Sequence, residues 1–148
     1  MSTRSTRGGF TLIELLLVIG IIAILAAVVI VAINPTKQLA DARNAQRRSD
    51  VNTLLNAVYQ YALDNNGNIP TTITTVATKV CKSGVNVSCT NGVNLNMLTG
   101  SYVVALPSDP STSTTTGTNY TIMKNATTSR ITVAAPGAEN SATITVTR

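Results

Sequence analysis

The chain has 148 residues, of which 44% are hydrophobic, 3% aromatic and 11% charged, and its formal net charge is +5 at pH 7. It contains no histidine, which removes the commonest general base and metal ligand, and its single phenylalanine and four tyrosines are too few to stack nucleic-acid bases. P-loop, GxSxG and GxGxxG sequences are missing, so the sequence predicts no enzyme, no cofactor and no metal.

A long apolar run near the N-terminus predicts a membrane-spanning helix. Residues 15–33 carry no charge, and at about 1.5 Å per residue they form roughly 28 Å of helix, close to the ~30 Å hydrocarbon core of a bilayer. Its small residues are Gly20, Ala23, Ala26, Ala27 and Ala32. Because the run is apolar on every side and contains these small residues, it can pack closely against like helices.

Glu14 is an acidic residue at the start of this apolar run. An ionised side chain costs on the order of 2.5 to 3.5 kcal/mol at the centre of a membrane helix and less near its end. No basic residue follows before Lys37. The carboxylate must therefore reach the interface, stay protonated, or find its cation on another chain.

The residues around Glu14 closely resemble the N-terminus of type IV prepilins and the related pseudopilins. A basic, polar leader at residues 1–9 is followed by the sequence GFTLIE, which begins at Gly9, and by an uninterrupted apolar helix. The resemblance implies that a prepilin peptidase cleaves between Gly9 and Phe10 and that Phe10 is then N-methylated. It also implies an assembly role for Glu14, which would pair with the amino terminus of Phe10 on a neighbouring subunit.

Two other interpretations of this segment stay open. A secretory signal peptide would use Arg4 and Arg7 as its basic region, but the apolar run exceeds the usual length of roughly 7 to 15 residues and Glu14 interrupts it near its start. A signal anchor that is not cleaved is the second interpretation. In either case the basic leader keeps the N-terminus in the cytoplasm and sends the rest of the chain across the membrane.

Residues 36–65 predict an amphipathic continuation of the helix outside the membrane. Pro35 removes one backbone donor and predicts a kink or local unwinding, and residues 65–67, Asn-Asn-Gly, predict the helix end. One apolar stripe at helical spacing contains Leu39, Val51, Leu54, Leu55, Val58 and Ala62. Two pairs have ion-pair spacing, Lys37 with Asp41 and Arg47 with Asp50.

The last third of the chain predicts strands. Residues 119–124, 130–135 and 142–147 are rich in Thr, Val, Ile and Tyr and are separated by hairpin-length connections. We expect a three- or four-stranded antiparallel sheet packed on the amphipathic helix, with a less regular connection over residues 69–100. The predicted class is α+β, one long N-terminal helix packed against a small antiparallel sheet. The pilin resemblance implies the same architecture.

Cys81 and Cys89 are the only two cysteines. In a domain exported across the membrane they predict a disulfide that closes a small loop ahead of the sheet, with free thiols as the alternative. Such a loop closure stabilises by about 2 to 3 kcal/mol in the chain-entropy model.

Polar residues of the outer region offer few candidate binding sites. Residues 108–118, SDPSTSTTTGT, are low in complexity and predict an exposed loop. Arg43, Arg47 and Arg48 lie within about one helical turn and could bind DNA or anionic headgroups, although a solvated face or intersubunit salt bridges are commoner. Nucleic acid is therefore a weakly supported partner. The outer acidic residues are scattered rather than paired: Asp41, Asp50, Asp64, Asp109 and Glu139.

These observations predict four segments: a leader at residues 1–9, a transmembrane and assembly helix at 10–34, an amphipathic outer helix at 35–66, and a globular head at 67–148. The predicted function is that of a structural subunit of a type IV pilus-like filament, anchored in the cytoplasmic membrane until assembly. Expected partners are like subunits, the prepilin peptidase and a membrane assembly platform. The alternatives are a pseudopilin of a secretion or DNA-uptake system and a membrane-anchored adhesin or binding protein.

Overall fold

The computed structural model describes residues 8–84, 89 and 91–148. The chain divides into two units, Met1–Gln38 and Leu39–Arg148, called here the N-terminal unit and the C-terminal unit. Its helices and strands are α1 (Leu12–Ile33), α2 (Pro35–Asp64), β1 (Thr78–Cys81), β2 (Gly92–Val93), β3 (Gly117–Lys124), β4 (Ile131–Ala134) and β5 (Thr145–Thr147), with a 3-10 turn at Asn96–Leu98.

Helix α1 contains the predicted apolar segment. It has 22 residues, none of them buried, and its length and composition are those of a helix that can cross a membrane. Apolar side chains cover every side of it, from Leu12 at 77% exposure to Ile33 at 52%. An isolated helix of this kind is stable in lipid or in contact with other apolar helices, but not in water.

The predicted irregularity near Pro35 is a break between two helices. Asn34 adopts the left-handed conformation (φ 48°, ψ 76°) and ends α1. Its side-chain Oδ1 then accepts hydrogen bonds from the Thr36 hydroxyl (2.8 Å) and the Lys37 backbone N–H (3.3 Å) at the start of α2. Pro35 occupies the first position of α2, where its missing N–H costs nothing.

Helix α2 packs on the sheet by the predicted stripe, with one exception. Val51, Leu54, Leu55 and Val58 are fully buried, but Leu39 is 59% exposed. The buried face follows three- and four-residue steps through Ala40, Asn44, Arg47, Val51, Leu54, Val58 and Ala62. Leu39 lies one position off this face, so its assignment to the stripe was wrong.

The predicted helix end at residues 65–67 is present. Asn66 and Gly67 both have positive φ values, 56° and 85°, and the Gly67 N–H donates to the Ala62 carbonyl at 2.7 Å. This left-handed termination returns the chain toward the sheet.

The predicted α+β class is confirmed, although the sheet is larger than expected. Its five strands have the order β2-β1-β3-β4-β5. The hairpins β3–β4 and β4–β5 are antiparallel, as predicted, but β1 pairs with β2 in parallel, so the sheet is mixed. The sequence did not predict β1 and β2 because TKVC and GV are too short to show alternation.

One face of this sheet and the buried face of α2 form the core of the C-terminal unit. The sheet contributes Val80, Val93, Tyr120, Ile122, Ile131 and Val133. Each of these side chains is at most 4% exposed. Burying a side chain of this size contributes about 1.5 to 3 kcal/mol, so the contact between α2 and the sheet stabilises this unit.

The disulfide joins Cys81 to Cys89, with their Cα atoms 5.6 Å apart. Cys81 is the last residue of β1, so the bridge lies between two strands of the sheet. The expectation from the sequence, a bridge ahead of the sheet, was wrong. Within the bridged loop, residues 85–88 are outside the described part of the chain. Gly92, which begins β2, passes directly beside the bridge: a Cβ atom there would lie 2.0 Å from Cys89 Sγ and 2.7 Å from Cys81 Sγ.

Replacing Gly92 with alanine should therefore disrupt the bridge. No non-bonded carbon atom can approach a sulfur this closely, so either the disulfide fails to form or β2 leaves β1. Mass spectrometry of unreduced, alkylated protein should show the 81–89 link in the unaltered chain and free thiols in a large fraction of Gly92→Ala. With Cys89→Ala as the background, the same substitution should cost much less stability. Full bridge formation in Gly92→Ala with unchanged stability would refute this account of the contact.

Candidate processing and assembly site

The predicted cleavage site lies in an exposed, non-helical segment. Gly8, Gly9 and Phe10 precede the first turn of α1, and Phe10 is 85% exposed. Among the described residues, no other atom lies within 4 Å of the position that a Cβ atom would take at Gly8 or Gly9. Nothing in the described part of the chain therefore covers the Gly9–Phe10 peptide bond. Residues 1–7, which carry Arg4 and Arg7, lie outside the described residues.

Glu14 takes part in a capping box at the start of α1. Its Oε2 accepts a hydrogen bond from the Thr11 backbone N–H (2.7 Å) and another from the Thr11 hydroxyl (2.8 Å). In return, Thr11 Oγ1 accepts from the Glu14 N–H at 3.3 Å. The two residues therefore satisfy backbone donors that the first helical turn leaves without intrahelical partners.

The capping box gives the Glu14 carboxylate hydrogen-bond partners in its own chain. The sequence suggests an interfacial position, a proton, or a cation on another chain, and none of these gives Thr11 a role. The signal was present in the sequence, because Thr-x-x-Glu before an apolar run is the pattern of a capping box. The carboxylate also has apolar neighbours, since Phe10, Ile13 and Leu17 line the same shallow concavity as Glu14.

Arg47 occupies a different environment from the one its sequence position suggested. It is completely buried, and its Nε and Nη2 donate to the two carboxylate oxygens of Asp109 at 2.7 and 3.1 Å. Nη1 donates to Asn44 Oδ1 at 3.0 Å. Nη2 also lies within hydrogen-bond distance of Ser111 Oγ (2.6 Å) and Glu139 Oε1 (3.0 Å). We call this set, Asn44, Arg47, Asp109, Ser111 and Glu139, the Arg47 cluster.

The Arg47 cluster corrects three sequence expectations. Arg47 pairs with Asp109 and Glu139 and not with Asp50, so the expected i,i+3 pair was wrong. Asp109 and Glu139 are also not scattered, because both bind one guanidinium. Residues 108–118 are only partly an exposed loop: Asp109 is 2% exposed and Thr118 is fully buried within β3.

The charges of the cluster shift the pKa values of its acids. Burial alone would raise the pKa of Asp109, but hydrogen bonds from Arg47 and from the Ser111 and Thr112 backbone N–H groups hold it well below its usual range. Hydrogen bonds from Arg43, which bridges Glu139 at 2.5 Å, and then from Arg47 lower the pKa of Glu139 to about 2. Both acids are therefore ionised at neutral pH.

Arg43 and Arg47 thus form ion pairs with acids of the C-terminal unit, whereas Arg48 is exposed. Asp50 is buried beside them and accepts from the Tyr120 hydroxyl at 2.6 Å and from Gln46 Nε2 at 2.7 Å. Burial, followed by the bond to Asp50, raises the pKa of Tyr120. Asp41 accepts from Asn140 at 2.8 Å.

Both cysteines form the disulfide. Within residues 8–84, 89 and 91–148, no cluster of acidic, cysteine or histidine side chains could hold a metal ion. The two fully buried charges of the Arg47 cluster, those of Arg47 and Asp109, pair with each other.

Comparison with known proteins agrees with this description. Residues 4–30 match the family described as the prokaryotic N-terminal methylation motif. The chain is 34% identical over 110 residues to the type II secretion system core protein G of Vibrio cholerae, covering 74% of this chain and 69% of that protein. The corresponding protein of Aeromonas hydrophila is 35% identical over 107 residues, with 72% and 69% covered, and that of Escherichia coli is 34% identical over 110 residues, with 74% and 70% covered. No solved structure gives a significant match.

The similarity to the three core G proteins covers 107 to 110 residues, far more than the N-terminal motif at residues 4–30, so it includes much of the C-terminal unit. The motif, the exposed apolar helix and the α+β architecture agree with one another. The chain belongs to the type IV pilin and pseudopilin family of structural filament subunits.

Proposed function

We propose that this chain is the repeating subunit of a pseudopilus, a short filament assembled at the cytoplasmic membrane. The observation that carries the proposal is the complete exposure of α1, a 22-residue apolar helix with no buried residue. Such a surface leaves lipid only if other apolar helices replace the lipid, and further copies of the same chain supply them. The relatives named as core G proteins of type II secretion systems favour a pseudopilus over a long surface pilus.

In this proposal, maturation begins with removal of the leader at residues 1–9. A prepilin peptidase cuts between Gly9 and Phe10, and Phe10 is then methylated on its new amino group. The exposed, non-helical backbone at these residues supports access by the peptidase. Thr11, Glu14 and all of α1 lie after the cut, so the mature subunit keeps its capping box.

The basic leader holds the N-terminus on the cytoplasmic side, and α1 then crosses the membrane. The C-terminal unit follows on the outer side, where an oxidising environment permits the Cys81–Cys89 disulfide. The mature subunit waits in the membrane and is transferred into the filament by an assembly platform.

Glu14 supplies the specific contact in this assembly. Its carboxylate pairs with the amino terminus of Phe10 on a neighbouring subunit, which offsets the cost of both charges inside a helix bundle. Nucleic acid has no part in the proposal. Arg43 and Arg47, two of the three arginines that had suggested it, are instead bound to Glu139 and Asp109.

Processing provides the first test. Mass spectrometry of the mature protein should find Phe10 as the N-terminal residue, carrying an N-methyl group. Substitution of Gly9 by leucine should leave the leader attached, because a side chain at the cleavage position obstructs the peptidase, while Gly8→Ala serves as the matched control and should be processed normally.

Shearing the cells and imaging the released material should show short fibres that contain this chain. An intact leader in the unaltered protein, or a mature start within α1, would contradict the proposal. Long surface fibres would instead identify a pilus. Absence of any fibre from an abundant, processed protein would favour a membrane-anchored binding protein.

A further inference from the structure

Thr11 makes three hydrogen bonds with Glu14, and they have two different consequences. Its Oγ1 accepts from the Glu14 N–H, which caps the helix. Its hydroxyl and backbone N–H both donate to the same carboxylate oxygen, Oε2, at 2.8 and 2.7 Å. The first contact stabilises the start of α1, whereas the other two fix the position of the carboxylate.

The other carboxylate oxygen is not used in this arrangement. Among the hydrogen bonds of the described residues, Glu14 Oε1 has no partner, and Oε2 has two. An ionised carboxylate can accept about four hydrogen bonds, two at each oxygen. One oxygen is thus held toward the chain's own backbone while the other stays available for a donor from outside.

We infer that Thr11 is a positioning residue for assembly: it holds Glu14 by Oε2 so that Oε1 receives the amino group of a neighbouring subunit. This inference rests on the proposed function. It adds a second residue to the docking contact, one whose side chain never touches the incoming amino group.

The position of Thr11 fits this role before and after maturation. It lies two residues beyond the Gly9–Phe10 bond, so cleavage removes none of the three contacts. The hydroxyl also gives Glu14 a polar partner while the subunit is still in the membrane, where an unpaired carboxylate is costly. The side chain is therefore oriented before its partner arrives, which reduces the ordering cost of docking.

The experiment must separate helix capping from carboxylate positioning. Glycine is nearly as good an N-cap residue as threonine, but it has no hydroxyl to donate to Glu14. Serine keeps the hydroxyl. Thr11→Gly and Thr11→Ser, made in the full chain and expressed in cells, are therefore a matched pair, with Glu14→Gln as a second control.

The measurement is zero-length coupling with a lipid-soluble carbodiimide in isolated membranes. The reagent joins the Glu14 carboxyl to an adjacent amino group, and an amide between Glu14 of one copy and Phe10 of another appears as a covalent dimer whose linked peptide mass spectrometry identifies. The unaltered chain and Thr11→Ser should give similar dimer yields. Thr11→Gly should give about fivefold less, the change expected for losing one hydrogen bond, and Glu14→Gln should give none.

Equal yields from Thr11→Gly and the unaltered chain would overturn the inference, as would the absence of linked dimers from the unaltered chain. Amide hydrogen exchange at Glu14 reports separately whether each variant still caps α1, so a lost helix start is recognised. Failure of this inference can also be distinguished from failure of the proposed function. Linked dimers without fibres would refute the filament and leave the role of Thr11 standing, whereas fibres without linked dimers would do the reverse.

Discussion

Replacing Arg47 with methionine should lower the free energy of unfolding of the C-terminal unit by about 3 to 5 kcal/mol, the usual cost of removing one partner from a buried ion pair. Methionine keeps much of the side-chain volume but leaves Asp109, which is 2% exposed, without its cation. The two segments that carry Asp109 and Glu139 should then separate from α2. Chemical denaturation of the full chain in detergent, followed by circular dichroism, measures the change.

Arg48 provides the matched control because it is the next residue on α2 and is exposed. Arg48→Met should change stability by less than roughly 0.5 kcal/mol. Adding Asp109→Leu to Arg47→Met should restore part of the loss, since no buried charge is then left alone. Similar destabilisation by Arg47→Met and Arg48→Met would show that the buried pair does not hold the loops.

Replacing Glu14 with alanine should reduce assembly by at least roughly tenfold while leaving cleavage and membrane insertion unchanged. The apolar length of α1 is unaffected, so the subunit still enters the membrane. Without Glu14, however, the amino terminus of the neighbouring Phe10 has no counter-ion inside the helix bundle, and an unpaired buried charge is strongly unfavourable. Fibres released by shearing and subunits left in the membrane fraction are quantified by immunoblotting.

Glu14→Gln tests whether the charge itself is required, because glutamine keeps the shape and can still accept hydrogen bonds from Thr11. Asp41→Ala, which removes an exposed acid from α2, is the control and should assemble normally. Normal fibre yields from both Glu14 variants would mean that docking does not use the carboxylate, and the proposed contact would have to be abandoned.

The sequence contained strong information wherever the relevant interactions are local. The apolar run predicts α1, Asn-Asn-Gly predicts the end of α2, and the alternating Thr, Val and Ile residues predict β3, β4 and β5. The motif around Glu14 indicates the family because its residues are contiguous. The Thr11–Glu14 capping box was not predicted, although Thr-x-x-Glu is a recognised four-residue pattern.

The features that the sequence did not predict share a different physical cause, which is contact between residues far apart in the chain. Strands β1 and β2 have four and two residues, and they form only because the sheet edge supplies partners distant in the chain. The acid nearest to Arg47 in sequence is Asp50, one helical turn away. The sequence therefore favoured a pair with Asp50 or a cationic surface for Arg47. The acids that bind it, Asp109 and Glu139, are 62 and 92 residues away, and no local pattern indicates their approach.

The sequence by itself determined the apolar helix long enough to cross a membrane, the family motif and the α+β class, because periodicity and short motifs are properties of neighbouring residues. Tertiary structure alone decided which polar residues are buried and where the disulfide stands in the sheet. These depend on where folding places segments that lie far apart and on which of several possible hydrogen bonds the packed backbone allows.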